Sequence, residues 1–278
     1  MITVGRNSNG LLELKAELIA PVVYLDHFAL VEFANKDDYR EKFLSALKGK
    51  SGTLLLSQAN LFEPAGFQDN DQALRIEKLL NDAIPNVYVA DLMKDPGFFF
   101  INGSPHSADS PETHWLARHM LDAAAINHDQ LTFSNMFTEV VAQHSRLAPI
   151  FEDMKASIAA EVARFRADSA RLAEGKKFIP NKSMSAKHLL MAALLRDTQI
   201  NSSQNFLPND SMDFIHAVPA TIKSDFVLLD KSWCHRLDRA KKYIADHGVK
   251  KKYAKRYWGS PHKIDEFFAD LTNYKMST

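Results

Sequence analysis

Residues 21–26 read Pro-Val-Val-Tyr-Leu-Asp, and this short stretch decides the fold. A β-branched and aromatic run of this length reads as a buried strand, here ending in an aspartate. Two similar runs follow, Thr-Leu-Leu-Leu-Ser at 53–57 and Asn-Val-Tyr-Val-Ala at 86–90. Between the first two, Asp37–Lys48 carries Tyr39, Phe43 and Leu47 at four-residue spacing, one apolar helical face closed by Gly49. Residues 58–63 begin a turn or short helix stopped at Pro64, and Asp71–Ala83 sets Ala73, Ile76, Leu80 and Ala83 on one helical side. Strand, helix, strand, helix, strand predicts parallel strands with helices packed on the sheet. Ligands bind such sheets beyond the carboxyl ends of the strands, where Asp26, Glu63 and Asp91 fall.

The pattern changes after residue 91. Residues 95–111 are rich in Gly, Pro, Ser and Asp and read as a loop. From Pro111 to about Ile200 the chain reads as helix, with a long amphipathic stretch at Ile150–Ala173 that Ser169 interrupts, and another helix at Ser185–Arg196. The strand pattern returns with Phe226–Leu229, which ends in Asp230. Asn209 is read as the cap of a short helix, Asp210–Val218, broken at Pro219. Helices at Ser232–Asp246 and Lys263–Leu271 close the chain. The expectation is a single α/β domain split into residues 20–100 and 205–260, with a helical insertion at about 105–204 and a C-terminal helical segment at 261–278.

Composition bounds the function classes. The 278 residues are 46% hydrophobic and 24% charged, ordinary for a soluble globular chain with a full core. Lys plus Arg and Asp plus Glu are 34 each, so only the distribution of charge can point to a polyanionic partner. The single cysteine, Cys234, rules out an intramolecular disulfide and a cysteine zinc cluster, suits a reducing cytoplasm, and reads as a small buried hydrophobe. No signal peptide is evident and no apolar run approaches the roughly 20 residues that span a bilayer, so a soluble protein is expected.

The acids carry the chemistry. Asp26 and Asp230 each follow an apolar strand, and Asp210 and Asp213 lie three apart on one helix face. Carboxylates converging at a sheet edge repel one another and resist ionisation unless a cation compensates them. Mg²⁺ or Mn²⁺ does so through oxygen ligands, and can orient a water for in-line attack on a phosphodiester. Any one of these aspartates, taken alone, reads more readily as a turn or cap residue than as a ligand; the ordered set is what points to a metal.

This pattern resembles the PIN-like nucleases. Residues 22–26, Val-Val-Tyr-Leu-Asp, are similar to their opening strand and first acid, and 53–57 with Glu63 to their second strand and its glutamate. The segment Asn209-Asp210-Ser-Met-Asp213-Phe-Ile-His216, followed by Ser224-Asp225-Phe-Val-Leu-Leu-Asp230-Lys231, is similar to the family's acidic helix and final acid. The resemblance implies a Rossmann-like three-layer α/β/α sandwich with a central parallel sheet. It also implies divalent-metal-dependent ribonuclease activity, with metal at Asp26, Glu63, Asp213 and Asp230. Asp210 is either a fifth ligand or the partner in place of Asp213. The resemblance covers about half the chain and leaves out the helical middle. His27 and Phe28 depart from the small or polar residues that commonly follow the first acid in that family.

Other features were weighed beside the acids. From Lys231 to Arg256 there are ten cationic side chains and two acids, and Lys231, Lys250, Lys251, Lys252 and Arg256 are candidates to grip RNA, or DNA, at the rim of the site. A solvated helix face is the other reading of that tract. His106, His114, His119, His128 and His144 match no zinc spacing. His216, three after Asp213, shares its face and reads as touching substrate or, preferably, as holding a carboxylate by hydrogen bonding. The alternative to a nuclease is a catalytically silent PIN-like module that binds RNA or a protein partner; a phosphatase-like hydrolase is a third reading. A homo-oligomer contact through the insertion is left open.

Overall fold

The computed structural model describes residues 1–57, 60, 63–66, 70–90, 115–201 and 205–275. Asp91, the loop at 95–111, His106 and His114 lie outside them. The chain opens with a hairpin not expected from its sequence, β1 (Ile2–Arg6) antiparallel to β2 (Leu12–Ala16), turning at Gly10 with φ 76°. A positive φ there suits a residue without Cβ. The expected strands follow as β3 (Val22–Leu25), β4 (Thr53–Ser57) and β5 (Val87–Ala90), with β6 (Phe226–Leu228) late in the chain. A further strand, β7 (Lys255–Tyr257), forms inside the basic tract.

These five strands pair in the order β5-β4-β3-β6-β7, every pair parallel. The chain runs outward from β3 to β5 on one side and returns to build β6 and β7 on the other. The direction of winding therefore reverses at β3, and a crevice opens at the carboxyl ends on either side of such a reversal.

Helices cover both faces, compatible with a three-layer sandwich. Alternation along each strand sorts the core. Val23, Leu25, Leu54, Leu56 and Leu228 face one layer, and Tyr24, Leu55 and Val227 the other. The first layer holds α1 (His27–Asn35), α2 (Asp37–Gly49) and α3 (Asn70–Ala83), joined by α4 (Trp115–Ile126) and α5 (Met136–Ala142). Then come α6 (His144–Ala167), α7 (Ser169–Lys176), α8 (Ala186–Ile200), α9 (Pro208–Lys223) and α10 (Lys231–Asp246). Of these, α8, α9 and α10 form the second layer. The last helix, α11 (Pro261–Thr272), returns to the first layer through Phe267 and Leu271.

One helix was not anticipated and two local readings are corrected. The segment after Asp26 is a helix, α1, because Ala29, Leu30, Phe33 and Ala34 all bury one face against the sheet. The long helix starts at His144 and ends where Asp168 caps the next one, its side chain accepting from the backbone N–H of Ala170 and Arg171; this is the break beside Ser169. The helix read as Asp210–Val218 runs from Pro208 to Lys223 straight through Pro219, and its N-cap is Leu207 rather than Asn209. A proline inside a helix loses one backbone bond, and here burial of Val218, Ala220 and Thr221 around it offsets that loss. Cys234 is fully buried, as expected of a small apolar side chain.

Candidate metal centre

Asp26 is positioned twice over. Its backbone N–H donates to Leu228 O at 3.0 Å, tying the ends of β3 and β6 together. Its side chain accepts from His27 N–H at 2.9 Å, capping α1. Asp230 leaves the end of β6 at the start of α10, with no side-chain bond to that helix. Asp213 comes from the first half of α9, which packs over the same strand ends. One oxygen from each of Asp26, Asp213 and Asp230 lies within 4.8 Å of the other two. Asp26 lies 187 residues before Asp213 and 204 before Asp230, and they meet because β3 and β6 are neighbours.

The electrostatics of this meeting are unfavourable as the side chains stand. Burial raises Asp26 to about 7, reinforced by the charge of Asp230 and opposed by the His27 N–H. Burial raises Asp213 to about 8, with Asp26, Asp230 and Asp210 adding to it. Asp230 is raised by burial and by Asp210. The donors are all oxygens, crowded and short of compensating charge, which is the chemistry of a site for a hard divalent cation.

Glu63 stands beside this triad rather than in it. It opens the 3-10 turn Glu63–Gly66 after β4, and burial lifts its carboxyl well above the usual range, with Asp26 and Asp213 adding. Two imidazoles flank it, His27 Nδ1 at 3.3 Å from Oε2 and His216 Nε2 at 3.6 Å from Oε1. Both rings are kept neutral at ordinary pH by burial, His27 at about 4 and His216 at about 3. His216 thus faces the Glu63 carboxyl at a distance beyond a hydrogen bond, rather than holding it by one. On its other side, His216 Nδ1 contacts the hydroxyls of Tyr24 and, at 3.0 Å, Ser57, and Ser57 donates to Asn60 Oδ1 at 2.9 Å. This buried chain from the sheet to Glu63 had no signal in the sequence beyond His216.

Asp210 is not part of the triad. Its side chain accepts from Leu207 N–H at 2.8 Å and lies 3.7 Å from the Arg236 guanidinium, so it serves the start of α9. Of the candidate cations, Lys231 alone follows an acid at the carboxyl edge. Lys250, Lys251 and Lys252 precede β7 and lie at the amino edge, where Lys252 pairs with Asp225, the residue just before β6, at 3.2 Å. Arg256, within β7, pairs with Asp238 on α10.

A cleft of about 340 Å³ opens over the acids, its floor Asp26, Glu63, Asp213 and Asp230. Its walls include Phe28, Phe151, Met212 and Lys155. Phe151 and Lys155 come from α6, in the helical middle of the chain. Amphipathic spacing marked that helix but not which residues would meet the acids. His128 and His144, in that same middle, join no metal-compatible cluster among the described residues.

Compared with protein-family models, curated proteins and solved structures, the chain finds no match. Among the described residues no helix is long and apolar enough to cross a membrane.

Proposed function

We propose that this chain is a divalent-metal-dependent nuclease of PIN-like architecture, acting on RNA and holding Mg²⁺ or Mn²⁺ through Asp26, Asp213 and Asp230 with Glu63 adjacent. The observation that carries the reading is the convergence of three carboxylates within 4.8 Å at the carboxyl edge, where the winding of the sheet reverses. A divalent ion held there supplies Lewis acidity toward a phosphoryl oxygen and lowers the pKa of water.

The protein's own groups do the rest. Asp26 is locked in orientation by the His27 N–H, so its carboxylate is set before any ligand arrives. Burial and the charges of Asp26 and Asp213 hold the Glu63 carboxyl well above the usual carboxylate range, so positive charge placed among these acids would favour its ionised form. The neutral imidazole of His216 stands behind Glu63, 3.6 Å from Oε1. Lys155, whose charge opposes the rise at Glu63, stands in the wall where a phosphate would lie.

Cleavage of single-stranded RNA in Mn²⁺ tests the reading. Wild type should cut, and Asp26→Asn and Asp230→Asn should not; an inactive wild type, or mutants that cut equally well, would remove the catalytic claim. A silent RNA- or protein-binding module is favoured by one observation, the engagement of Glu63 with His27 and His216 outside the triad. Calorimetric titration with Mn²⁺ separates the two, since the silent module binds no ion.

A further inference from the structure

The departure at Phe28 and the helical middle of the chain meet in the same cleft. Phe28 and Phe151 both line it beside the acids. Phe28 is half-buried, packed on the sheet-side core and against Gly259, whose Cα is so close that an added Cβ would sit 3.0 Å from the ring. The ring is thus held against Gly259 while it also lines the cleft. The cleft, about 340 Å³, is at the small end of ligand pockets, which run from about 300 to 1,000 Å³. Among the described residues, the cation lining the cleft is Lys155, paired with Glu152 at 2.8 Å, while Lys231 follows Asp230 and Arg236 is turned to Asp210 at 3.7 Å. The lysine-rich tract that would track a long backbone lies at the opposite edge, where Lys252 is held by Asp225.

We infer that the cleft takes a single unpaired nucleotide unit of a strand, its base stacked on Phe28 and Phe151 and its phosphate over the acids. This rests on the nuclease reading for its ligand class and adds the subsite that selects unpaired over duplex nucleic acid. Aromatic rings accept any base by its π-face, so recognition is by lack of pairing rather than by sequence. Few cations mean few neutralised phosphates, so salt dependence is shallow.

The test uses the full chain with a single-stranded hexanucleotide carrying 2-aminopurine, in RNA and DNA arms, and a duplex of the same sequence, in Ca²⁺. Stacking should quench the fluorophore on binding. Phe28→Ala and Phe151→Ala should each weaken binding about 5- to 150-fold and abolish the quench, as loss of one base stack does. Phe28→Trp should restore both, and Mn²⁺ affinity should stay within twofold throughout. The logarithmic salt slope should lie between about −0.7 and −1.4, one or two phosphates. Phenylalanine variants that bind like wild type, a duplex that binds as tightly as the single strand, or a slope steeper than about −3 would overturn the proposal. Stacking-dependent binding without cleavage in Mn²⁺ would keep the subsite and remove the nuclease reading. Cleavage indifferent to both rings would do the reverse.

Discussion

Two aspartates flank the same strand, β6, and their surroundings are opposite. Asp225 stands at the amino edge, where one oxygen accepts from Val22 N–H at 3.0 Å and the other meets Lys252 at 3.2 Å. Asp230 stands at the carboxyl edge among Asp26 and Asp213, with its pKa raised. Glu77 and Glu63 repeat the contrast. Glu77, 4% exposed, accepts from the backbone N–H of Asn135, Phe137 and Thr138 and from the Thr138 hydroxyl, so it is a structural acid at the start of α5. Glu63 Oε2 is buried and, among the described residues, accepts no hydrogen bond, with the His27 ring 3.3 Å away. A buried carboxylate with several donors stabilises a fold, and one without them costs stability until a ligand arrives. The difference supports the proposal that the carboxyl edge is the functional one.

The largest effect should come from removing a member of the triad. Asp26→Asn is expected to lower the rate of RNA cleavage by at least about 10²-fold, as loss of one preorganised electrostatic group does, and to weaken Mn²⁺ binding measured by calorimetry. An unchanged Mn²⁺ affinity would dissolve the contrast between the edges.

Next in size is a pH effect on the metal-free protein. Asp26 and Asp213 titrate at about 7 and about 8 when folded, raised chiefly by burial from the 3.8 of an exposed aspartate. The folded chain therefore binds more protons than the unfolded chain between those limits, and stability falls as pH rises through them. Tm should drop by more than about 2–4 °C from pH 6 to pH 8, the shift that 1 kcal/mol gives at this size. Mn²⁺ added at pH 8 should recover it. A Tm that rises over this interval in the absence of metal would contradict the crowding of the acids.

At the other edge, Asp225→Ala leaves the Val22 N–H unpaired and should cost about 1–3 kcal/mol in urea unfolding, with RNA cleavage per folded molecule unchanged. The smallest effect is expected for the combined Lys250→Ala, Lys251→Ala and Lys252→Ala variant, less than about twofold on kcat/KM, because these side chains lie across the sheet from the acids. A loss of tenfold or more would mean that the substrate wraps both edges.

Much of the sheet was legible because buried parallel strands are short apolar runs, and β3, β4, β5 and β6 each stand out in that way. The helix α1 was not, since its apolar face is interleaved with His27, Val31 and Glu32 and it follows a strand without a loop. The hairpin β1–β2 and the strand β7 were missed because their residues are mixed: β7 is Lys-Arg-Tyr, whose pairing depends on β6 being beside it. The triad was half legible. Asp26 and Asp230 follow from the strands that precede them, whereas Asp213 could be told from Asp210 only when Asp210 was found bonded to Leu207 N–H and facing Arg236.

By itself, then, the sequence determined which segments are strands, which acids end them and that the winding is parallel, because hydrophobic periodicity and chain order are local properties. Only the tertiary structure decided that β3 and β6 are neighbours, that the lysines of 250–252 face away from the acids, and that Phe28 and Phe151 share a cleft. These depend on which strand pairs with which and on the direction each edge faces, and backbone pairing sets both across nearly the whole length of the chain.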